Sequence, residues 1–145
     1  MLERKGEISD LKEIYILEKM IFKDEAWSQE MLKTELLNNE NSKTLIIEEQ
    51  RKILGYFMSR SVFEEHHILN LGVFPPRQKE GIGTQLLISF LKSTKNSSSV
   101  FLEVKKSNFP AIGIYKTNGF KVFGERKNYY KSGESALMMH YRKAY

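Results

Sequence analysis

The sequence predicts an α/β (α+β) fold, a mixed central sheet with helices on its faces. Three observations predict it. Two helical patterns come first, at the N-terminal end; three strand-like runs follow in close succession. Helix and strand then alternate, and a helix between strands of one sheet implies a crossover connection. At 145 residues, 41% of them hydrophobic and 28% charged, the chain reads as one domain, residues 1–145, with a substantial core.

The elements can be justified in order. Ser9 or Asp10 can cap a first helix, whose apolar positions Leu11, Ile14, Leu17 and Ile21 recur at helical spacing. Ser28, followed by Glu30 and Met31, starts a second helix that fades in the polar run from Asn38 to Ser42. Thr44–Glu48 and Ile53–Met58 read as strands joined by a hairpin near Gln50-Arg51, and Ile68–Phe74 as a third, ended by Pro75-Pro76. A helix from about Gly83 to Ser93 carries Leu86, Leu87, Phe90 and Leu91 on one face. Val100–Val104 is a short apolar strand of the buried kind. Asn108–Thr117 is helical, with Pro110 tolerated in its first turn and Asn118-Gly119 as its stop. Two strands close the chain, Phe120–Glu125 and about Ser135–Tyr141.

Composition excludes several classes of function. There are no cysteines, so disulfides, thiolate metal sites and cysteine nucleophiles are ruled out, and a reducing compartment fits. Residues Met1 to Glu7 are of mixed charge, unlike a signal peptide, and no apolar run approaches the roughly 20 residues that span a bilayer. A cytoplasmic protein without membrane contact is expected. The net charge of +5 raises the question of nucleic acid, but the basic residues are scattered and no nucleic-acid motif accompanies them. Attraction of an anionic cofactor explains the charge equally well. His66 and His67 would point to opposite faces of a strand and His140 is isolated, so no metal site is expected.

Three features carry chemistry. Gln78-Lys79-Glu80-Gly81-Ile82-Gly83-Thr84 is a glycine-rich turn feeding a helix. Glycines let the backbone approach a ligand, and the helix start adds free N–H groups and a positive dipole end, which suits an anion. A Rossmann turn needs glycine where Leu86 stands, and a P-loop needs Lys-Ser/Thr after its last glycine; neither fits. Glu103 lies in the apolar run Val-Phe-Leu-Glu-Val, where a carboxylate needs a partner, water or a raised pKa. It either faces solvent at the strand's end or serves as a general base. Asn108 can cap the helix that follows it and Tyr115 can be a core aromatic, and neither role excludes a second.

Together these pieces resemble the GNAT superfamily of N-acetyltransferases. The resemblance rests on a strand ending Asn70-Leu71-Gly72-Val73, a proline break, Gln-x-x-Gly-x-Gly and a helix, then Leu102-Glu103-Val104. Asn108-x-x-Ala111-x-x-x-Tyr115-x-x-x-Gly119-Phe120 completes it. Within the superfamily the chain looks most like the bacterial ribosomal-protein-alanine N-acetyltransferases, with which it shares Trp27-Ser28, Ser107-Asn108 and Arg126-Lys127-Asn128-Tyr129-Tyr130.

The resemblance implies a mostly antiparallel sheet of six to seven strands with helices on both faces. It implies acetyl-CoA as cosubstrate, with Leu71, Gly72 and Val73 aligning the pantetheine arm and thioester. Gln78, Lys79, Glu80, Gly81, Ile82, Gly83 and Thr84 would hold the pyrophosphate, and Asn108 would contact the cofactor. Glu103 would be the base, Tyr115 the acid that protonates the departing thiolate, and Trp27, Tyr129 and Tyr130 would line the acceptor's groove. The partner implied is a protein or peptide N-terminus, with a ribosomal protein as the candidate, and the enzyme a monomer or weak dimer. The sequence departs from the group at Glu80, acidic in a phosphate loop where Arg77 and Lys79 can offset it, and at Phe74. Ala26 and Ser135 are departures near the acceptor regions. A lysine side chain, a polyamine or an antibiotic remains open as acceptor, as does a non-catalytic CoA-binding or nucleic-acid-binding module.

Overall fold

A computed structural model describes residues 1–37 and 40–144. Asn38 and Asn39, where the second helix was expected to begin fading, lie outside the described residues. The elements run β1 (Leu2–Lys5), α1 (Leu11–Phe22), α2 (Gln29–Leu37), β2 (Ser42–Glu49), β3 (Lys52–Val62), β4 (Glu65–Val73), α3 (Ile82–Ser93), β5 (Ser99–Lys105), α4 (Phe109–Thr117), β6 (Lys121–Arg126) and β7 (Ala136–Arg142). The strands form one seven-stranded sheet ordered β1-β2-β3-β4-β5-β7-β6. Among the described residues only β4 and β5 pair in parallel; every other neighbouring pair is antiparallel.

Alternation along the strands feeds two cores. Ile46, Tyr56 and Met58 face α1 and α2, against Ile14, Leu17, Leu32 and Leu36. Ile47, Phe57, Val100, Leu102 and Val104 face α3 and α4, against Leu86, Leu87, Phe90, Ile112 and Tyr115. His66 and His67 do point to opposite faces, one ring against Phe90 and the other against Phe101.

Two expectations are corrected. The sheet begins with β1, which the sequence reading passed over: Leu-Glu-Arg-Lys shows no apolar alternation because it is an edge strand, exposed or half-exposed throughout. Asp10 stands at the N-cap of the first helix, but its side chain makes no capping bond there. A 3₁₀ turn spans Ile8–Asp10, and the Asp10 carboxylate turns back to accept from the Glu7 N–H and Arg4. Ser28 does accept from the Met31 N–H at 3.2 Å, closing the start of α2. Gln50 and Arg51 both adopt positive φ, 50° and 65°, as a two-residue hairpin loop requires.

Two irregularities in β4 position the functional site. Met58 pairs with Asn70 but Ser59 pairs with Ile68, so Leu69 is an extra residue. This bulge shifts the strand's phase: Ile68 faces the α3 side, Asn70 lies against α1, and Leu71 and Val73 return to the α3 side. Pairing of β4 with β5 then stops at Ile68–Leu102, while β3–β4 continues to Val73 and β5–β7 to Lys105. The two parallel strands therefore part, opening a wedge through the middle of the sheet.

Candidate active site

The wedge leaves backbone groups unpaired. The Phe74 N–H donates to the Leu54 carbonyl at 2.8 Å, across from β3. By the alternation of an antiparallel ladder, the N–H groups of Leu71 and Val73 point the other way, into the gap β5 has left. Below them, the turn after β4 opens onto α3. Gly81 holds φ at 84° and Lys79 at 71°, both in the left-handed region, which bends the chain sharply into the helix. The Gln85 N–H makes the first bond to the Gly81 carbonyl, so the N–H groups of Ile82, Gly83 and Thr84 precede the helical ladder.

These groups line a cleft of about 510 Å³, within the range of small-molecule sites. Its walls include Leu71, Val73, Gln78, Lys79, Gly81, Ile82, Gly83, Thr84 and Asn108, with Ile21 and Phe22 of α1 and Ile114 of α4. Gly72 and Glu80 do not line it. Gly72 faces Tyr56, where an added Cβ would lie 2.4 Å from the ring. Glu80 is drawn aside by the Arg77 guanidinium, whose Nε donates to its two oxygens at 2.9 and 2.8 Å. Arg77 also holds Glu49 at 2.7 Å, so the acidic residue in the loop is neutralised and turned from the cleft. Gln78 folds its amide back to the Val73 carbonyl at 3.2 Å, tying the loop to the end of the strand.

Through the wedge, this cleft meets a channel lined by Asn70, Leu71, Glu103, Asn108, Tyr115, Trp27 and Tyr130. Asn108 caps α4 by accepting from the Ala111 N–H at 3.3 Å, and lines both spaces. Tyr115, 4% exposed, packs its ring in the core against Phe120 and brings its phenol to the channel wall. Burial, and secondarily Tyr130, push that phenol well above the ordinary tyrosine value. Glu103 points to the opposite face of β5 from Leu102 and Val104. There it is exposed and paired with Arg126 of β6, Nε to Oε2 at 2.8 Å.

The channel opens on the face that α1 and α2 leave uncovered. There Trp27, Tyr129, Tyr130, Glu103, Phe101 and Phe123 line an open groove. Tyr130 stands at the junction, its phenol pushed up to about 12 by burial and by neighbouring Tyr129 and carboxylates. Glu25 is held by Lys105 at 3.0 Å and Glu65 by His67 at 2.9 Å, so the carboxylates along the groove have cationic or imidazole partners.

The structure thus brings Glu103, Tyr115 and Asn108 to one channel, and Trp27, Tyr129 and Tyr130 to its outer mouth. Sequence reasoning missed Glu18, Asn70 and Arg126 as residues of this region. Glu18 had a signal: it lies four residues after Ile14, on the apolar stripe of α1.

The model of the acetyltransferase (GNAT) family matches residues 8–120. The chain belongs to the GNAT acetyltransferase family. It is an acetyl-CoA-dependent N-acetyltransferase. Among its relatives is a Bacillus subtilis (strain 168) protein, 32% identical over 139 residues, covering 94% of this chain and 91% of the relative. That protein is described, provisionally, as a ribosomal protein bS18-alanine N-acetyltransferase. An N-alpha-acetyltransferase of Sulfolobus acidocaldarius is 36% identical over 103 residues, 61% of each chain. The crystal structure of the Escherichia coli ribosomal-protein-S18-alanine N-acetyltransferase superposes with a TM-score of 0.87, covering 99% of this chain and 94% of that one at 24% identity. The expected fold, a mostly antiparallel sheet with helices on both faces, is the one found.

Proposed function

We propose that this acetyltransferase modifies the N-terminal α-amine of a protein, a ribosomal protein beginning with alanine being the first candidate. The observation that carries the reading is the two-sided channel. A cleft of about 510 Å³ walled by the glycine loop and the start of α3 meets, between β4 and β5, an open groove walled by Trp27, Tyr129 and Tyr130. The relatives that act on N-terminal amines support it. A polyamine would call for several uncompensated carboxylates, whereas Glu25, Glu65 and Glu103 each have a partner.

In this reading the amides of Ile82, Gly83 and Thr84 hold the pyrophosphate, and those of Leu71 and Val73 align the pantetheine arm and thioester. Asn108 contacts the cofactor from the far wall. The neutral amine attacks the thioester carbonyl, the Val73 N–H stabilises the oxyanion, and the thiolate leaves. Glu103 takes the amine's proton, through water. With reference pKa values near 7.8 and 10.4, roughly 15% of an α-amine but about 0.04% of a lysine is neutral at pH 7. An α-amine therefore needs only the modest help of a partly exposed carboxylate. Tyr115 donates to the thiolate; because its phenol is a weaker acid than a thiol near 8.5, a hydrogen bond in the transition state matters more than complete transfer.

The test is to offer acetyl-CoA and a library of N-terminal peptides, ribosomal-protein N-termini included, and to locate the acetyl group by mass spectrometry. Label on the α-amine is expected. Label confined to lysine side chains would overturn the reading.

A further inference from the structure

Glu18 is a buried carboxylate that the chemistry above does not use. It sits on α1, 1% exposed, and lines the same channel as Glu103. Glu25 and Glu103 each have a cation, but Glu18 is met by three neutral donors. Its Oε1 accepts from the Tyr56 hydroxyl and from the Asn70 side-chain amide, each at 2.7 Å, and its Oε2 accepts from the Trp27 backbone N–H at 2.9 Å. Burying a charge without a counter-ion is costly, so a carboxylate at this place calls for a reason beyond packing.

The reason lies in what the three donors belong to. Trp27 stands on the loop between α1 and α2, one wall of the acceptor groove. Asn70 directly follows the bulge at Leu69, where β4 changes phase before Leu71 and Val73. Tyr56 is the fully buried β3 side chain beneath Gly72. A carboxylate only accepts, at both oxygens, so it can take all three donors at once. Glutamine is the closest neutral substitute: its NH₂ group would either meet the Trp27 N–H, donor against donor, or force the Tyr56 hydroxyl and the Asn70 amide to turn round and accept.

We infer that Glu18 is a positioning residue that fixes the acceptor wall at Trp27 to the thioester-bearing strand at Asn70, so that the incoming amine meets the bound acetyl group in register. This rests on the groove being the acceptor site. The inference concerns the seating of the acceptor, not the binding of the cofactor, whose cleft lies on the other side of the wedge and is built from different groups.

The chain's single tryptophan is Trp27 itself, which gives a readout independent of turnover. In Glu18→Gln, collisional quenching of Trp27 fluorescence by acrylamide should rise about twofold, and acceptor KM about tenfold, as the loop loses its tether. Acetyl-CoA Kd should stay within about twofold and kcat within about threefold. Unchanged Trp27 quenching with unchanged acceptor KM would overturn the inference. So would a parallel loss of acceptor KM, cofactor Kd and kcat, the mark of general loosening. If Glu18→Gln does not fold, Tyr56→Phe removes one of the three donors without changing shape. Acceptor KM should then rise about two- to threefold at constant cofactor Kd; wild-type KM in that variant would overturn the inference. If wild-type protein acetylates only lysines or polyamines, the α-amine reading falls, yet this test still runs with that amine as acceptor.

Discussion

Glu103 and its partner Arg126 decide what a substitution at the base can report. Both side chains are substantially exposed, 34% and 57%, so the ion pair contributes little to stability. Glu103→Gln should therefore melt as the wild type does while kcat falls by about 10²-fold, the lower range for a positioned base. Calorimetry should find acetyl-CoA affinity unchanged, since Glu103 does not line the cofactor cleft. Wild-type kcat from pH 6 to 9 would remove Glu103 from the mechanism. Tyr115 is legible in a pH profile. A phenol whose pKa is raised keeps its neutral, donating form as pH climbs, so the acid stays competent well past pH 9. The expected kcat/KM rises as the α-amine deprotonates near 7.8 and then holds level, with no descending limb below about pH 10. A fall beginning near pH 8.5 would assign the acid to another group. Tyr115→Phe should keep cofactor binding and lose about tenfold in kcat; full activity would dismiss it. The sequence singled out both residues, Glu103 as a carboxylate in an apolar strand and Tyr115 by its place in the pattern after the glycine loop, and the fold brings them to one channel. Arg126 was visible only as part of a shared motif, because its role needs β6 placed beyond β7, across the sheet from β5.

At the level of elements, β4 carries the most consequence for its length. Its bulge at Leu69 turns Asn70 toward α1, and Gly72 lets the strand lie directly on the Tyr56 ring. A Cβ at Gly72 would fall 2.4–2.8 Å from two ring carbons and the hydroxyl oxygen of Tyr56, which is fully buried and anchored to Glu18, so it cannot swing away freely. Gly72→Ala should destabilise the protein by about 1–3 kcal/mol, as overpacked cores do, read as a lower urea midpoint at unchanged m-value. A midpoint equal to the wild type's would show that the ring yields without cost. The elements legible in the sequence were those whose signal is local. The hairpin at Gln50-Arg51, the α3 stripe of Leu86, Leu87 and Phe90, and the Asn108 cap needed no knowledge of distant chain. The bulge was not legible, since Ile68 to Phe74 reads as one continuous strand and the extra residue shows only against the register of β3. The edge strand β1 was missed for a related reason: its four residues are defined by pairing with β2, not by burial.

On the scale of the whole molecule, the parting of β4 and β5 lets one site be entered from two faces. The cleft proposed for the cofactor is bounded by the loop into α3 and by α4, and the groove proposed for the acceptor lies between the Trp27 loop and the β6–β7 connection that carries Tyr129 and Tyr130. The glycine loop of the first is contiguous in the sequence; the second is assembled from five separated stretches of chain, which only folding brings together. This arrangement constrains kinetics. Two substrates that approach from opposite sides do not compete for space, and the chain has no cysteine to carry an acyl group between them. Transfer should therefore pass through a ternary complex. Initial rates measured at several fixed acceptor concentrations should give intersecting double-reciprocal lines. Protein incubated with radiolabelled acetyl-CoA alone should retain no label after denaturation. Parallel lines together with stable label on the protein would mean a covalent intermediate. That result would transfer the central role from the geometry of the channel to a nucleophile within it.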